Sequence, residues 1–242
     1  MSPNDRRSSS PRPGKPSRPV SRETSGGRPA KVDLPKEIID EIRQVAVGSK
    51  ADEAISYLSR ATVLLARSDH GAAVKEAEKA KVLAPRSGAV REVLGLAYYG
   101  RGMYKEALSD LQTYRRISGR VDQNHIMADC QRALGRPDAA VPLAEEEIRG
   151  RGVPNEARAE AAVVAASALS DLGRYEQALA VLRRFAAKKT EIGRDYDLRL
   201  WYVTGDVLEK AGRRKEAAEE FRKVVRHDSG AYDAAERLAA LS

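Results

Sequence analysis

Gly102-Met103-Tyr104-Lys105-Glu106-Ala107 places an alanine five residues after a glycine, and the same frame returns along the chain. Gly135-Arg136-Pro137-Asp138-Ala139-Ala140, Gly173-Arg174-Tyr175-Glu176-Gln177-Ala178 and Gly212-Arg213-Arg214-Lys215-Glu216-Ala217 match it, and Ser68-Asp69-His70-Gly71-Ala72-Ala73 is a weaker first copy. The alanines at 73, 107, 140, 178 and 217 are spaced by 34, 33, 38 and 39 residues. A period of about 34 residues is that of a helix–turn–helix unit, which buries its apolar face by stacking on the next copy.

Working outward from the frame, the residues before each glycine also repeat. The second copy reads Arg91-x2-Leu94-Gly95-x2-Tyr98, then Ala107-x3-Leu111. The fifth reads Trp201-x2-Thr204-Gly205-x2-Leu208, then Ala217-x3-Phe221. The first supplies Tyr57, Ala61, Leu64, Ala73-x3-Ala77 and Pro85, while Ala128 and Ala166 take the glycine place in the third and fourth. Small residues at these places let two helices approach closely, and the large ones fill the space between units. On these motifs the chain resembles the tetratricopeptide repeat family over roughly residues 51–229. The resemblance implies an all-α, right-handed superhelical solenoid of about five helix pairs, with a further helix at each end.

The expected division is a tail over 1–31 and a repeat domain over 32–242. The domain comprises a helix within 32–50, repeats at about 51–85, 88–118, 121–150, 159–189 and 198–229, and a capping helix over 231–242. Asp33 and Pro35 suit a helix start, Ile38, Ile39, Ile42 and Val45 recur at helical spacing, and Gly48 suits its end. Extra length is expected at Arg149–Asn155 and around Lys188–Asp195.

The composition agrees with helices: Ala, Leu, Val, Glu, Arg and Lys dominate after residue 36, and aromatics are 5% of the 242 residues. Net charge is +8, but residues 1–31 hold eight basic and two acidic groups, so the rest is nearly neutral. Those 31 residues contain six of the eleven prolines and Val20 as their only large aliphatic, which predicts disorder with polyproline stretches. The longest apolar run, Ala161–Leu169, falls short of the roughly 20 residues a membrane-spanning helix needs. Arg6-Arg7 is followed by Ser8, Ser9, Ser10 and Pro11 rather than an apolar stretch, so neither a signal peptide nor a twin-arginine signal is expected. The expected location is cytoplasmic.

No phosphate loop, His-Glu-x-x-His, Cys-x-x-Cys or Gly-x-Ser-x-Gly occurs. Three histidines and one cysteine make metal sites hard to build; His125 and Asp129 share a helix face but are only two ligands. Cys130 is expected to be a buried small hydrophobe. No enzyme activity, cofactor or metal is therefore expected.

The resemblance also implies that the first helix of each unit lines a concave groove that takes a protein or peptide partner. The inward places are Leu58, Thr62 and Leu65 in unit one, then Glu92, Leu96 and Tyr99 in unit two. Asp122, His125, Asp129 and Arg132 follow in unit three, Glu160, Val163, Ser167 and Ser170 in unit four, and Arg199, Tyr202, Asp206 and Glu209 in unit five. The groove so drawn is apolar at its start and mostly acidic further on. Two readings stand: a binding surface, or ordinary solvated faces with the apolar places covered by the N-terminal helix. One member type, the clamp for chaperone C-terminal carboxylates, uses Lys and Asn at such places; Leu58, Thr62, Glu92 and Leu96 stand there instead, which disfavours that ligand. The function expected is a non-catalytic scaffold or adaptor. The alternative is an RNA- or ribosome-associated factor whose basic tail contacts nucleic acid or another polyanion. The tail is otherwise a solubilising extension, and its lack of aromatics disfavours base stacking.

Overall fold

The computed structural model describes residues 32–185 and 195–241. The expected disorder of 1–31 and most of the extra length around Lys188–Asp195 lie outside them. The described residues form twelve helices and no strand: α1 (Lys36–Val45), α2 (Ala51–Ala66), α3 (His70–Leu83), α4 (Gly88–Gly100), α5 (Tyr104–Ser118), α6 (Asn124–Ala133), α7 (Pro137–Arg149), α8 (Asn155–Asp171), α9 (Tyr175–Arg183), α10 (Asp195–Lys210), α11 (Arg214–His227) and α12 (Ala234–Leu241). From α2 to α11 they fall into five antiparallel pairs, an all-α solenoid.

The turn inside each pair needs one residue with left-handed backbone. Gly102, Gly135, Gly173 and Gly212 supply it at φ of 74°, 74°, 72° and 78°, a region open to glycine because it lacks Cβ. In the first pair Ser68 takes that place at φ 59°. The second helix then starts on Asp69, whose carboxylate accepts from the Ala72 amide at 3.1 Å.

The repeated small residues are the contacts between paired helices. Ala73, Ala107, Ala140, Ala178 and Ala217 are all fully buried, as are Ala61, Ala128 and Ala166. A Cβ built on Gly95 would lie 2.7 Å from Leu111 Cγ, and one on Gly205 2.8 Å from Phe221 Cε1, so the large residue of the second helix sits against bare backbone of the first. Core clusters join end to end through shared side chains: Val93 and Tyr98 bridge the first three, Leu143 and Val141 the last three.

The N-terminal segment departs from the sequence reading at both ends of its helix. Asp33 does not cap α1; the helix starts after Pro35 with no side-chain cap. It stops at Val45, three residues before Gly48, because Ala46 turns extended and Val47 donates its amide to Leu83 O at 2.8 Å. Ile38, Ile39, Ile42 and Val45 pack onto α2, α3 and α4, and the Val32 main chain is tied to the Ser59 hydroxyl through both its N–H (2.9 Å) and its C=O (2.6 Å).

Candidate partner-binding surface

First helices touch first helices along the array: α2 meets α4, α4 meets α6, α6 meets α8 and α8 meets α10. Successive second helices make no comparable contact, so they are splayed apart on the outside. The first helices therefore line the inner, concave face.

Three of the expected inward residues belong to the core instead. Leu58 is 1% exposed because the apolar stripe of α1 lies over it, together with Ile42 and Leu34. Val163 is 3% exposed within the cluster around Leu182 and Phe221. Tyr202 is 7% exposed, its ring 5.8 Å from Phe221 and 4.4 Å from Tyr232. Ser170 is buried as well, and its hydroxyl has no hydrogen-bond partner among the described residues.

Thr62 donates back to Leu58 O at 3.0 Å. Leu65 and Leu96 are partly exposed, as is Ser167. Leu65 and Leu96 thus leave apolar surface partly open near units one and two.

The polar stretch differs from its expected character, because nearly every acid on it is already engaged. Glu92 accepts from Gln123 Nε2 at 2.8 Å, and Asp122 accepts from the Tyr114 hydroxyl at 2.9 Å and pairs with Arg120. Burial raises the Glu92 carboxyl pKa, opposed by the Gln123 bond and reinforced by Asp122 and Glu41. Asp129 accepts from the Tyr99 hydroxyl at 2.7 Å and from Arg132 at 2.9 Å, and Arg132 reaches Asp171 in the next unit at 2.9 Å. Glu160 pairs with Arg199 at 2.6 Å. Asp206 is held by Lys210 at 2.9 Å and Arg237 at 3.0 Å, and Glu209 by Arg237 at 2.6 Å. The groove is therefore close to self-neutralised rather than mostly acidic.

Sequence reading missed Arg237 because α12 was taken only as a cap; nothing local marks its guanidinium as reaching back over Phe221 (4.6 Å) to α10. Lys210 was legible, being i+4 from Asp206. Asp171, Gln123 and Tyr232 carried no sequence signal.

His125 and Asp129 do not converge. The His125 amide and ring Nδ1 both bond Glu147, at 2.5 and 2.9 Å, so the imidazole turns toward α7 while Asp129 serves Tyr99 and Arg132. Burial, aided by Asp129, pushes the Cys130 thiol up to about 12, far from a thiolate nucleophile. Among the described residues no group of three or more His, Cys, Asp or Glu side chains is placed to hold a metal, and no helix is long and apolar enough to cross a membrane.

Two tetratricopeptide repeat models match, over residues 163–234 and 125–146. No curated protein matches in sequence. Solved structures of similar fold include TTC0263, a thermophilic TPR protein in Thermus thermophilus (17% identity, 78% of this chain and 98% of that one, TM-score 0.60). PilW, a widely conserved type IV pilus biogenesis factor, aligns at 15% identity over 77% and 86% of the two chains with TM-score 0.64. YrrB, a TPR protein with an unusual peptide-binding site, aligns at 19% identity over 83% and 97% with TM-score 0.56. At these identities the likeness is one of fold.

Proposed function

Because the chain belongs to the tetratricopeptide repeat family, we propose that it is a non-catalytic scaffold or adaptor that takes a segment of a protein partner along its concave face. The observation that supports this reading is the division of that face. Units one and two leave Leu65, Leu96 and the Tyr99 ring partly open, whereas the charged places of units three to five are spent on bonds between neighbouring helices. A ligand gains by burying the apolar part, worth about 25 cal/mol per Å² of apolar surface, and must break existing pairs to use the charged part. A segment gains from apolar side chains at units one and two, and from charge only where the face keeps more carboxylates than cations.

The test places a photo-crosslinking residue at Leu96 in the full chain and, separately, at Val82, which is 72% exposed on the outer helix α3. Irradiation in lysate should yield discrete nuclease-resistant protein adducts from position 96 and not from 82. Adducts from 82 alone, or adducts lost on nuclease treatment, would overturn the reading; the second outcome favours a polyanion as partner.

A further inference from the structure

Tyr232 stands out on this face. It lies between α11 and α12 with left-handed backbone (φ 57°), which costs a non-glycine residue about 1–2 kcal/mol. Its ring stacks on Tyr202 at 4.4 Å with planes 29° apart, yet the residue stays 46% exposed. Its stacking partner Tyr202 lies on α10, three residues from Arg199, which pairs with Glu160 of α8 at 2.6 Å. A strained, half-exposed aromatic capping a buried aromatic pair is a candidate stacking surface.

The chain carries a segment of matching chemistry. Residues 1–31 contain eight cations and six prolines and no aromatic. Arginine stacks over aromatic rings, and proline-rich segments dock on aromatic-lined grooves. Arginine on aromatic already recurs in this fold: Arg60 sits 4.6 Å from the Tyr57 centroid and Arg237 4.6 Å from that of Phe221. Charge points the same way. The seven carboxylates placed on the concave face above outnumber its five cations by two, one at Glu92 and Asp122, which stand with Arg120, and one at Asp129 and Asp171, which share Arg132. The segment's charge is +6.

Its point of departure is also favourable. Val32 is fastened to Ser59, one helical turn from the concave residue Thr62. Thirty-one residues span at most about 100 Å, against about 40 Å for four steps between neighbouring helices. A segment on the same chain meets the face at an effective concentration of around millimolar, so a weak contact is populated.

We propose that residues 1–31 occupy the concave face of their own array, from the neighbourhood of Thr62 and Glu92 to the exposed ring of Tyr232, and that an external partner must displace them. This rests on the concave face being a segment-binding surface.

The test uses the full chain with Ser10→Cys carrying a nitroxide. Cys130 is buried with a raised pKa and does not take the label, which the unsubstituted chain checks. Amide relaxation is read at about 0.01 M salt, where charges act over about 30 Å, and at about 1 M, where they act over about 3 Å. The expected result is loss of signal at Thr62, Leu96 and Tyr232 at low salt, recovered at high salt, with the Tyr232 loss reduced in Tyr232→Ala. Signal loss confined to outer residues such as Val82, or absent from the concave amides, overturns the proposal. So does loss that appears equally when nitroxide-bearing chains are mixed with isotope-enriched chains lacking the nitroxide, which would assign the contact to a second copy. None of these outcomes affects adduct formation at Leu96, so failure here is separable from failure of the scaffold reading.

Discussion

The hydroxyl of Tyr99 on α4 donates to the carboxylate of Asp129 on α6 at 2.7 Å, tying unit two to unit three across the concave face. Asp129 is 5% exposed, so its charge depends on that bond and on Arg132 for compensation. A hydrogen bond to a charged group contributes about 1.5–3 kcal/mol. Tyr99→Phe should therefore lower stability by about 1–3 kcal/mol in denaturant titration. Arg132→Ala should cost as much or more, since it leaves a buried carboxylate short of a cation. The two losses should be non-additive, because both act on one carboxylate; a double variant whose loss equals the sum would show that the two contacts are independent.

Gly95 on α4 lies against Leu111 of α5, and its position leaves no room for a side chain. Leu111 Cγ and Cδ2 would lie 2.7 and 2.8 Å from an added Cβ, and the Leu111 amide nitrogen 3.3 Å away. Overpacking of this kind costs about 1–3 kcal/mol, and Gly95→Leu should reach the upper end or fail to fold, whereas Gly95→Ala stays measurable. Replacing Leu111 by Ala in the Gly95→Ala background should recover part of the loss. Exposed Glu106→Ala is the reference, expected within about 0.5 kcal/mol of the parent. If Gly95→Ala matched that reference, the close approach would not exist in solution.

The turn positions give substitutions of opposite sign. Gly173 has φ 72° with open space around it, so Gly173→Ala meets no clash but must adopt left-handed backbone, at about 1 kcal/mol. Ser68 already bears that cost at φ 59°. Ser68→Gly relieves it and loses part of the gain to the greater freedom of glycine in the unfolded chain, so the net change should lie between neutral and about 1 kcal/mol stabilising. Thermal melts of the two variants decide this; a Ser68→Gly variant as destabilised as Gly173→Ala would mean that the hydroxyl of Ser68, not the backbone, matters in the turn.

Glu92 supplies a pH test. Its carboxyl pKa is raised in the folded chain, chiefly by burial, so the folded state binds the proton more tightly than the unfolded state. Stability associated with this group is fully present below the ordinary carboxylate pKa of about 4.3 and is lost as pH rises through the higher folded value. Glu92→Gln keeps an oxygen for Gln123 and removes the charge. It should be more stable than the parent at pH 7, with the difference shrinking toward zero below about pH 4. The check is denaturant midpoints of both chains across that range, and a less stable Glu92→Gln at neutral pH would show that the ionised carboxylate is an asset.

Much of the fold was legible because it is periodic. The glycine–alanine frame reports a left-handed turn and a close helix contact five residues apart, both local demands that only small residues meet, so Gly102 and Ala107 announce themselves and their copies fix the phase. Even Ser68 was readable as a copy, since its neighbours Ala73 and Ala77 kept the spacing. The start and stop of α1 were less legible, because Pro35 and the Val47–Leu83 bond, rather than Asp33 and Gly48, set its limits.

What the sequence determined by itself was the repeating unit, because it follows from nearest neighbours along the chain; the inward placement of each first helix came from the family resemblance. Only the tertiary structure decided what the inward residues do. Leu58 left the groove because α1 folds over it, and Asp206 and Glu209 ceased to be free acids because Arg237 returns from α12. Tyr232 became a surface feature because the loop before α12 lays its ring on Tyr202. Each outcome depends on a partner 16 to 31 residues away, often in another unit. Helical periodicity fixes the direction a side chain takes from its own axis and carries no information about which distant group arrives to meet it.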